Sequence, residues 1–109
     1  MTVGEMAKAL SLTPVTVEDE TRTFSGVYIG DLLSWVMGRA KCDNIWITIM
    51  SNINIIAVAT LVDVAVVILA EGVALEESVR QTAEQKGVNI YTSEKTAYQL
   101  AAELAGLSK

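Results

Sequence analysis

The chain has 109 residues, of which 51% are hydrophobic and 19% charged, with a formal net charge of −5. That length builds one domain around one core, and that balance excludes intrinsic disorder. Its 8 basic residues are scattered rather than gathered into a stripe, which argues against a nucleic-acid surface and against a polybasic membrane patch.

Thr2-Val3-Gly4-Glu5 has the form of a capping box, and Val3, Met6, Ala7 and Leu10 then fall at helical spacing. Pro14-Val15-Thr16-Val17 reads as a short strand. Pro14 brings no amide hydrogen to a ladder, which places that strand at a sheet edge. Glu18-Asp19-Glu20 follows as a solvated acidic turn. Residues 24–29 read as a second strand running to Gly30-Asp31. Asp31 is the expected N-cap of an apolar helix bearing Leu32, Leu33, Trp35, Val36 and Met37, which stops near Gly38. Trp35 on that helix belongs either to the core or to a partner surface.

The centre of the sequence is the stretch 45–69, in which Asp63 is the only charge. It reads as strand, helix, strand, with Ser51 or Asn52 capping the helix and Trp46 in the core. Near-continuous apolar runs of this kind belong to parallel strands covered on both faces. Glu71-Gly72 then turns the chain into a helix over 75–86, whose buried stripe is Leu75, Val79 and Ala83 and whose C-cap is Gly87. Residues 88–91 form the last strand. Ser93 is expected to cap a final helix with the face Ala97, Leu100, Ala101 and Leu104, ended at Gly106. Strands alternating with helices predict an α/β layered single domain over 1–109, with a mixed, largely parallel sheet flanked by helices.

Ser51, Asn52, Asn54 and Asp63 interrupt the apolar centre, and no basic cluster flanks it, so no membrane span is expected. The first residues lack the features of a signal peptide, and the single Cys42 cannot form an internal disulfide. A cytoplasmic location is the expectation.

Three stretches carry a family resemblance: residues 26–34 (Gly-Val-Tyr-Ile-Gly-Asp-Leu-Leu-Ser), Trp46-Ile47-Thr48-Ile49, and residues 89–98 from Asn89-Ile90-Tyr91 to Tyr98. With the order of elements from residue 1 to about 107, they resemble the DRTGG domain family. That family is similar to the N-terminal domain of HPr kinase/phosphorylase and to regulatory domains of some phosphate acetyltransferases and CBS-domain pyrophosphatases. The motif itself is largely replaced. Ser51-Asn52 stands at its acidic-arginine pair, Asn54 at its next acidic position, and Ala70-Glu71-Gly72 at its threonine and two glycines, so only Gly72 is kept. The resemblance implies a regulatory scaffold, attached in its relatives to enzymes; a homodimer is the expectation for this chain.

The residues themselves offer little catalytic chemistry. With 0 histidines, triads and imidazole metal sites are unavailable, and one cysteine does not build a zinc site. No Walker pattern occurs, and no cofactor or metal is expected. Ligands of open α/β sheets gather beyond the carboxyl ends of the strands. Here those ends supply a candidate rim of Asp31, Ser51, Asn52, Asn54, Glu71, Gly72, Thr92, Ser93 and Thr96. Three functions stay open: a regulatory domain binding a metabolite, a nucleotide or a partner protein; a small enzyme using Asp31, Glu71 or Cys42; and a structural adaptor. For the enzyme, Arg39 and Lys41 are expected to lower the Cys42 pKa.

Overall fold

The computed structural model describes residues 1–107. In chain order these form α1 (Val3–Ala9), β1 (Thr13–Thr16), β2 (Val27–Ile29), α2 (Leu33–Arg39), β3 (Ile45–Thr48), α3 (Asn54–Val62), β4 (Val66–Leu69), α4 (Glu77–Lys86), β5 (Ile90–Thr92) and α5 (Ala97–Leu107). One sheet runs in the order β1-β5-β4-β3-β2. The strands β2, β3, β4 and β5 are parallel, and β1 lies antiparallel to β5 at the edge. The layered α/β sheet expected from the sequence is the fold observed.

From β2 to β5 each strand is laid down beside the previous one, always in the same direction. Right-handed crossovers then bring α2, α3 and α4 to one face. Val36, Ile55, Ile56, Ala59, Val79 and Ala83 of these helices pack on Trp46, Val67, Leu69 and Ile90. On the other face, α1 with its flanking Leu10 and α5 contribute Val3, Met6, Leu10, Leu100 and Leu104 against Ile45, Ile47, Val66, Ile68 and Tyr91. Every residue of β3 and β4 is buried, which is why the central stretch lacks alternation. The capping box of α1 forms as read: the Glu5 amide donates to Thr2 Oγ1 at 3.1 Å and the Thr2 amide to Glu5 Oε1 at 2.9 Å.

Several local expectations are corrected. β2 starts only at Val27, because Gly26 takes a left-handed φ of 78° that breaks the pleat. α2 runs through Gly38 to Arg39 and buries only Val36, leaving Trp35 and Met37 exposed. Asp31 does not cap it. Leu32 takes the cap position without a side-chain bond. Nor does Ser93 cap α5: Thr96 and Gln99 form that box, with the Gln99 amide on Thr96 Oγ1 at 3.2 Å and the Thr96 amide on Gln99 Oε1 at 2.9 Å.

Two polar locks hold the amino ends of the strands. Asn89, 5% exposed, accepts from the amides of Glu18 and Asp19 at 2.7 and 2.9 Å. Its side-chain NH2 donates to the carbonyls of Asp19 and Ala65, both at 3.0 Å. The acidic turn at 18–20 is thereby fastened to the sheet. Arg22 is the second lock, donating to Asp43 Oδ1 at 2.8 Å, to Asp63 Oδ1 at 3.1 Å and to the Asp63 carbonyl at 2.7 Å. It ties together the loops that precede β3 and β4.

Replacing Asn89 leaves donors and acceptors at the start of β5 without their partner. Asn89→Ala is expected to cost about 2–4 kcal/mol in urea unfolding, within the range for breaking a buried hydrogen-bond network. Asn89→Asp is expected to be no milder, because a carboxylate would face the carbonyls of Asp19 and Ala65.

Candidate functional site

The carboxyl ends of β2, β3, β4 and β5 share one edge of the sheet, but their connections divide the expected rim. At the β2 end, the Asp31 carboxylate accepts from Thr48 Oγ1 at 2.8 Å and from the Ile49 amide at 3.0 Å. It latches the end of β2 to the end of β3. Next to it, the Trp46 indole donates to the Gly30 carbonyl at 2.9 Å. At the β3 end, Asn52 Oδ1 accepts from the Asn54 amide at 2.9 Å, so Asn52 orders the start of α3 from one position outside the cap, which is Ile53. Ser51 is half-buried beside it. Asn54 lines a separate apolar groove between α3 and α4, together with Ile53, Ile56, Ala57, Thr60 and Leu61.

The β4 and β5 ends come together. Glu71 and Gly72 take left-handed φ values of 59° and 72°, and the Val73 amide closes the turn on the Ala70 carbonyl at 3.2 Å. Two left-handed central residues define a type I′ turn, which suits Gly72 and strains Glu71. The turn is stitched to the β5–α5 loop: the Glu71 amide donates to the Lys95 carbonyl and the Gly72 amide to that of Ser93, both at 2.9 Å. Ser93 Oγ in turn accepts from the Lys95 amide at 3.1 Å. Thr96 is absorbed in capping α5.

After β4 the chain crosses to the face of α3 and α4, whereas after β5 it crosses to the face of α1 and α5. This is a topological switch point, where the two connections diverge and open a crevice. A cleft of about 390 Å³ lies there, lined by Thr13, Val15, Gly72, Val73, Ala74, Leu75, Thr92, Ser93 and Glu94. It gathers Gly72, Thr92 and Ser93 from the expected rim, and leaves Asp31, Ser51, Asn52, Asn54, Glu71 and Thr96 outside its lining. Thr13, Val15, Val73, Ala74, Leu75 and Glu94 are additions the sequence reading missed. Thr13 and Val15 come from the antiparallel edge strand, and nothing in their spacing points to a site at the far end of the chain.

Glu94 carries the only ionisable side chain among these lining residues. Its carboxylate lies against Gly72, where an added Cβ would come within 2.6 Å of Oε2. The neighbouring cation is committed elsewhere, since Lys95 Nζ pairs with Glu103 at 2.8 Å and reaches the Leu10 carbonyl at 3.3 Å. Nor do the turn amides form an anion cradle, because those of Glu71, Gly72 and Val73 are all bonded. The cleft therefore offers apolar walls, hydroxyls and one hydrogen-bond-accepting carboxylate.

The groups considered for catalysis sit differently. Asp31 and Glu71 are both exposed, and Asp31 is engaged in its latch. Cys42 lies at the opposite edge, before β3, with its Sγ 3.6 Å from Asp63 Oδ2. Local desolvation, followed by the carboxylates of Asp43 and Asp63, raises its pKa above the ordinary thiol value. That corrects the expectation that Arg39 and Lys41 would lower it. No group of three or more histidine, cysteine, aspartate or glutamate side chains placed to hold a metal occurs among the described residues. No helix among them is long and apolar enough to cross a membrane.

No family model and no curated protein matches this sequence. Among solved structures, the chain is similar to the CBS and DRTGG domains of the regulatory region of Clostridium perfringens pyrophosphatase, complexed there with the activator diadenosine tetraphosphate. The TM-score is 0.78 at 14% sequence identity, over 94% of this chain and 45% of that one. The likeness is one of fold, and it supports a DRTGG-like fold. That relative is a regulatory region, and this chain spans less than half of it.

The raised pKa of Cys42 has a measurable consequence. Since the thiolate is the nucleophile, iodoacetamide should modify Cys42 more slowly near pH 8 than it modifies an unperturbed thiol. A rate profile against pH should rise through a midpoint above the ordinary thiol value, and a midpoint below it would contradict the geometry.

Proposed function

We propose that this chain is a cytoplasmic, non-catalytic regulatory domain that acts as a homodimer and senses a small metabolite in the cleft between the ends of β4 and β5. The observation that carries the reading is the coincidence of the cleft with the switch point of a regulatory-type fold. The lining narrows the ligand. Val15, Val73 and Leu75 suit a flat apolar ring, the Thr92 and Ser93 hydroxyls suit polar ring atoms, and the Glu94 carboxylate suits sugar hydroxyls or an amine. With no lysine or arginine in the lining, phosphates would have to project outward. The ligand class is thus a nucleoside, or a nucleotide held by its nucleoside end.

In its relative the DRTGG fold stands beside CBS domains in a region that binds a nucleotide activator. By analogy, this domain would convert ligand binding into a change of assembly or of contact with a protein partner. The enzyme alternative receives little support, because Asp31 and Glu71 are solvent-exposed rather than withdrawn into a pocket. The adaptor alternative predicts no ligand at all.

A thermal-shift titration with adenosine, AMP and diadenosine tetraphosphate separates these readings. A ligand at about 100 times its dissociation constant should add about 2.7 kcal/mol of stability. Glu94→Gln and Thr92→Val should each weaken binding at least about fivefold, the loss of about 1 kcal/mol per hydrogen bond. Asn54→Ala, in the other groove, should change nothing. A flat response to all three ligands would sink the sensor reading.

A further inference from the structure

We propose that a second cleft, on the α1 side of the sheet, binds a free α-amino acid with an apolar side chain. The site is independent of the nucleoside reading, and it shares no lining residue with the switch-point cleft.

The residue that points to a ligand is Tyr91. β5 places it in the core cluster formed with α1 and α5, where it is 4% exposed. Its hydroxyl makes no hydrogen bond among the described residues. A buried tyrosine hydroxyl ordinarily finds a partner, and a phenylalanine would fill the same core. No side-chain polar atom among the described residues is both fully buried and unbonded. The hydroxyl therefore opens into the space that Tyr91 lines, a cleft of about 410 Å³ between α1, β1 and the acidic turn. Local desolvation, followed by the Glu20 carboxylate, raises its pKa above the ordinary phenol value. It stays protonated at neutral pH and can both donate and accept.

The rest of the cleft is built around that hydroxyl. Gly4, Ala7, Lys8 and Ser11 follow one another at helical spacing and so share the side of α1 that faces it. The acidic turn closes the cleft from the other side. The Gly4 amide donates to the Glu20 carbonyl at 2.8 Å, and a Cβ on Gly4 would come within 3.1 Å of the Glu20 Cβ. The bare glycine thus lets Glu20 lie against the helix. Lys8 and Glu20 are the only charged residues in the lining, and they are opposite in sign. Their side chains, like that of Ser11, have no hydrogen-bond or ion-pair partner among the described residues. Ala7, Leu12, Pro14 and Val17 supply the apolar part of the wall.

This set of groups selects a zwitterion. A ligand carrying only a carboxylate would answer Lys8 and face Glu20 with a like charge. One carrying only an ammonium would do the reverse. A molecule with both charges on adjacent atoms answers both: its ammonium lies between the Glu20 carboxylate and the Tyr91 oxygen, and its carboxylate meets Lys8 and the Ser11 hydroxyl. The apolar wall then receives an aliphatic side chain. The volume is ample for a molecule of this size.

Isothermal titration of the full chain with L-leucine, L-valine and L-methionine, each to about 10 mM, tests the proposal. At least one should bind with a dissociation constant at or below about 1 mM. Its amide, which lacks the carboxylate, and its des-amino acid, which lacks the ammonium, should each bind at least about tenfold more weakly. Tyr91→Phe should weaken binding at least about fivefold and leave the urea unfolding midpoint unchanged, because the hydroxyl has no partner to lose within the protein. Glu20→Gln should weaken binding at least about tenfold. Glu94→Gln, in the switch-point cleft, should leave it untouched. Silence from all three amino acids would overturn the proposal. Binding that survives Tyr91→Phe, or singly charged analogues that bind equally well, would overturn it too. Adenosine binding is read through Glu94 and Thr92, so failure of either site is told apart from failure of the other.

Discussion

The whole arrangement depends on four parallel strands advancing in a single direction from β2 to β5. Because each crossover is right-handed, α2, α3 and α4 must stack on one face, and α1 and α5 are left to cover the other. The step after β5 is where the pattern reverses. There α5 follows β5 and packs on the opposite face instead. The switch-point cleft is the geometric residue of that reversal, and the exposed β2 edge is the residue of where the march begins. Site and edge are both consequences of topology before any side chain is considered.

Polar groups then divide the molecule along the strand axis. At the amino ends, Asn89 and Arg22 tie loops to the sheet with fully engaged hydrogen bonds. At the carboxyl ends, Asp31 latches β2 to β3, and the gap between β4 and β5 stays open and holds the cleft. Several carboxylates that look available for chemistry in the sequence are thus spent on structure. Asp43 and Asp63 brace Arg22 and, after the local desolvation that acts first, raise the pKa of the single cysteine, Cys42.

The core elements were legible because burial on both faces leaves a strong mark. Residues 45–48 and 66–69 are uninterrupted apolar runs, and the helix between them is bounded by polar residues. The caps were less legible. Ser93 and Thr96 are equally able to cap, and the sequence shows both; what selects Thr96 is that β5 and its following turn use Ser93 to hold Lys95. The Gln99 three residues after Thr96 was a usable signal for the capping box. Asp31 misled for a related reason: a short polar side chain before a helix caps only if no stronger donor competes, and Thr48 with the Ile49 amide does.

The sequence by itself determined the class of fold, the order of its elements, the edge position of β1 through Pro14, and the shortage of catalytic groups. Those follow from composition and from periodicities that act within a few residues. Only the tertiary structure decided which strand ends meet, that Glu94 and the β1 residues Thr13 and Val15 share one cleft, and that Val27 and Ile29 on the β2 edge stay exposed. Each of those depends on contacts between residues tens of positions apart. Such contacts are set by the direction of the crossovers and by packing, neither of which is written in local spacing.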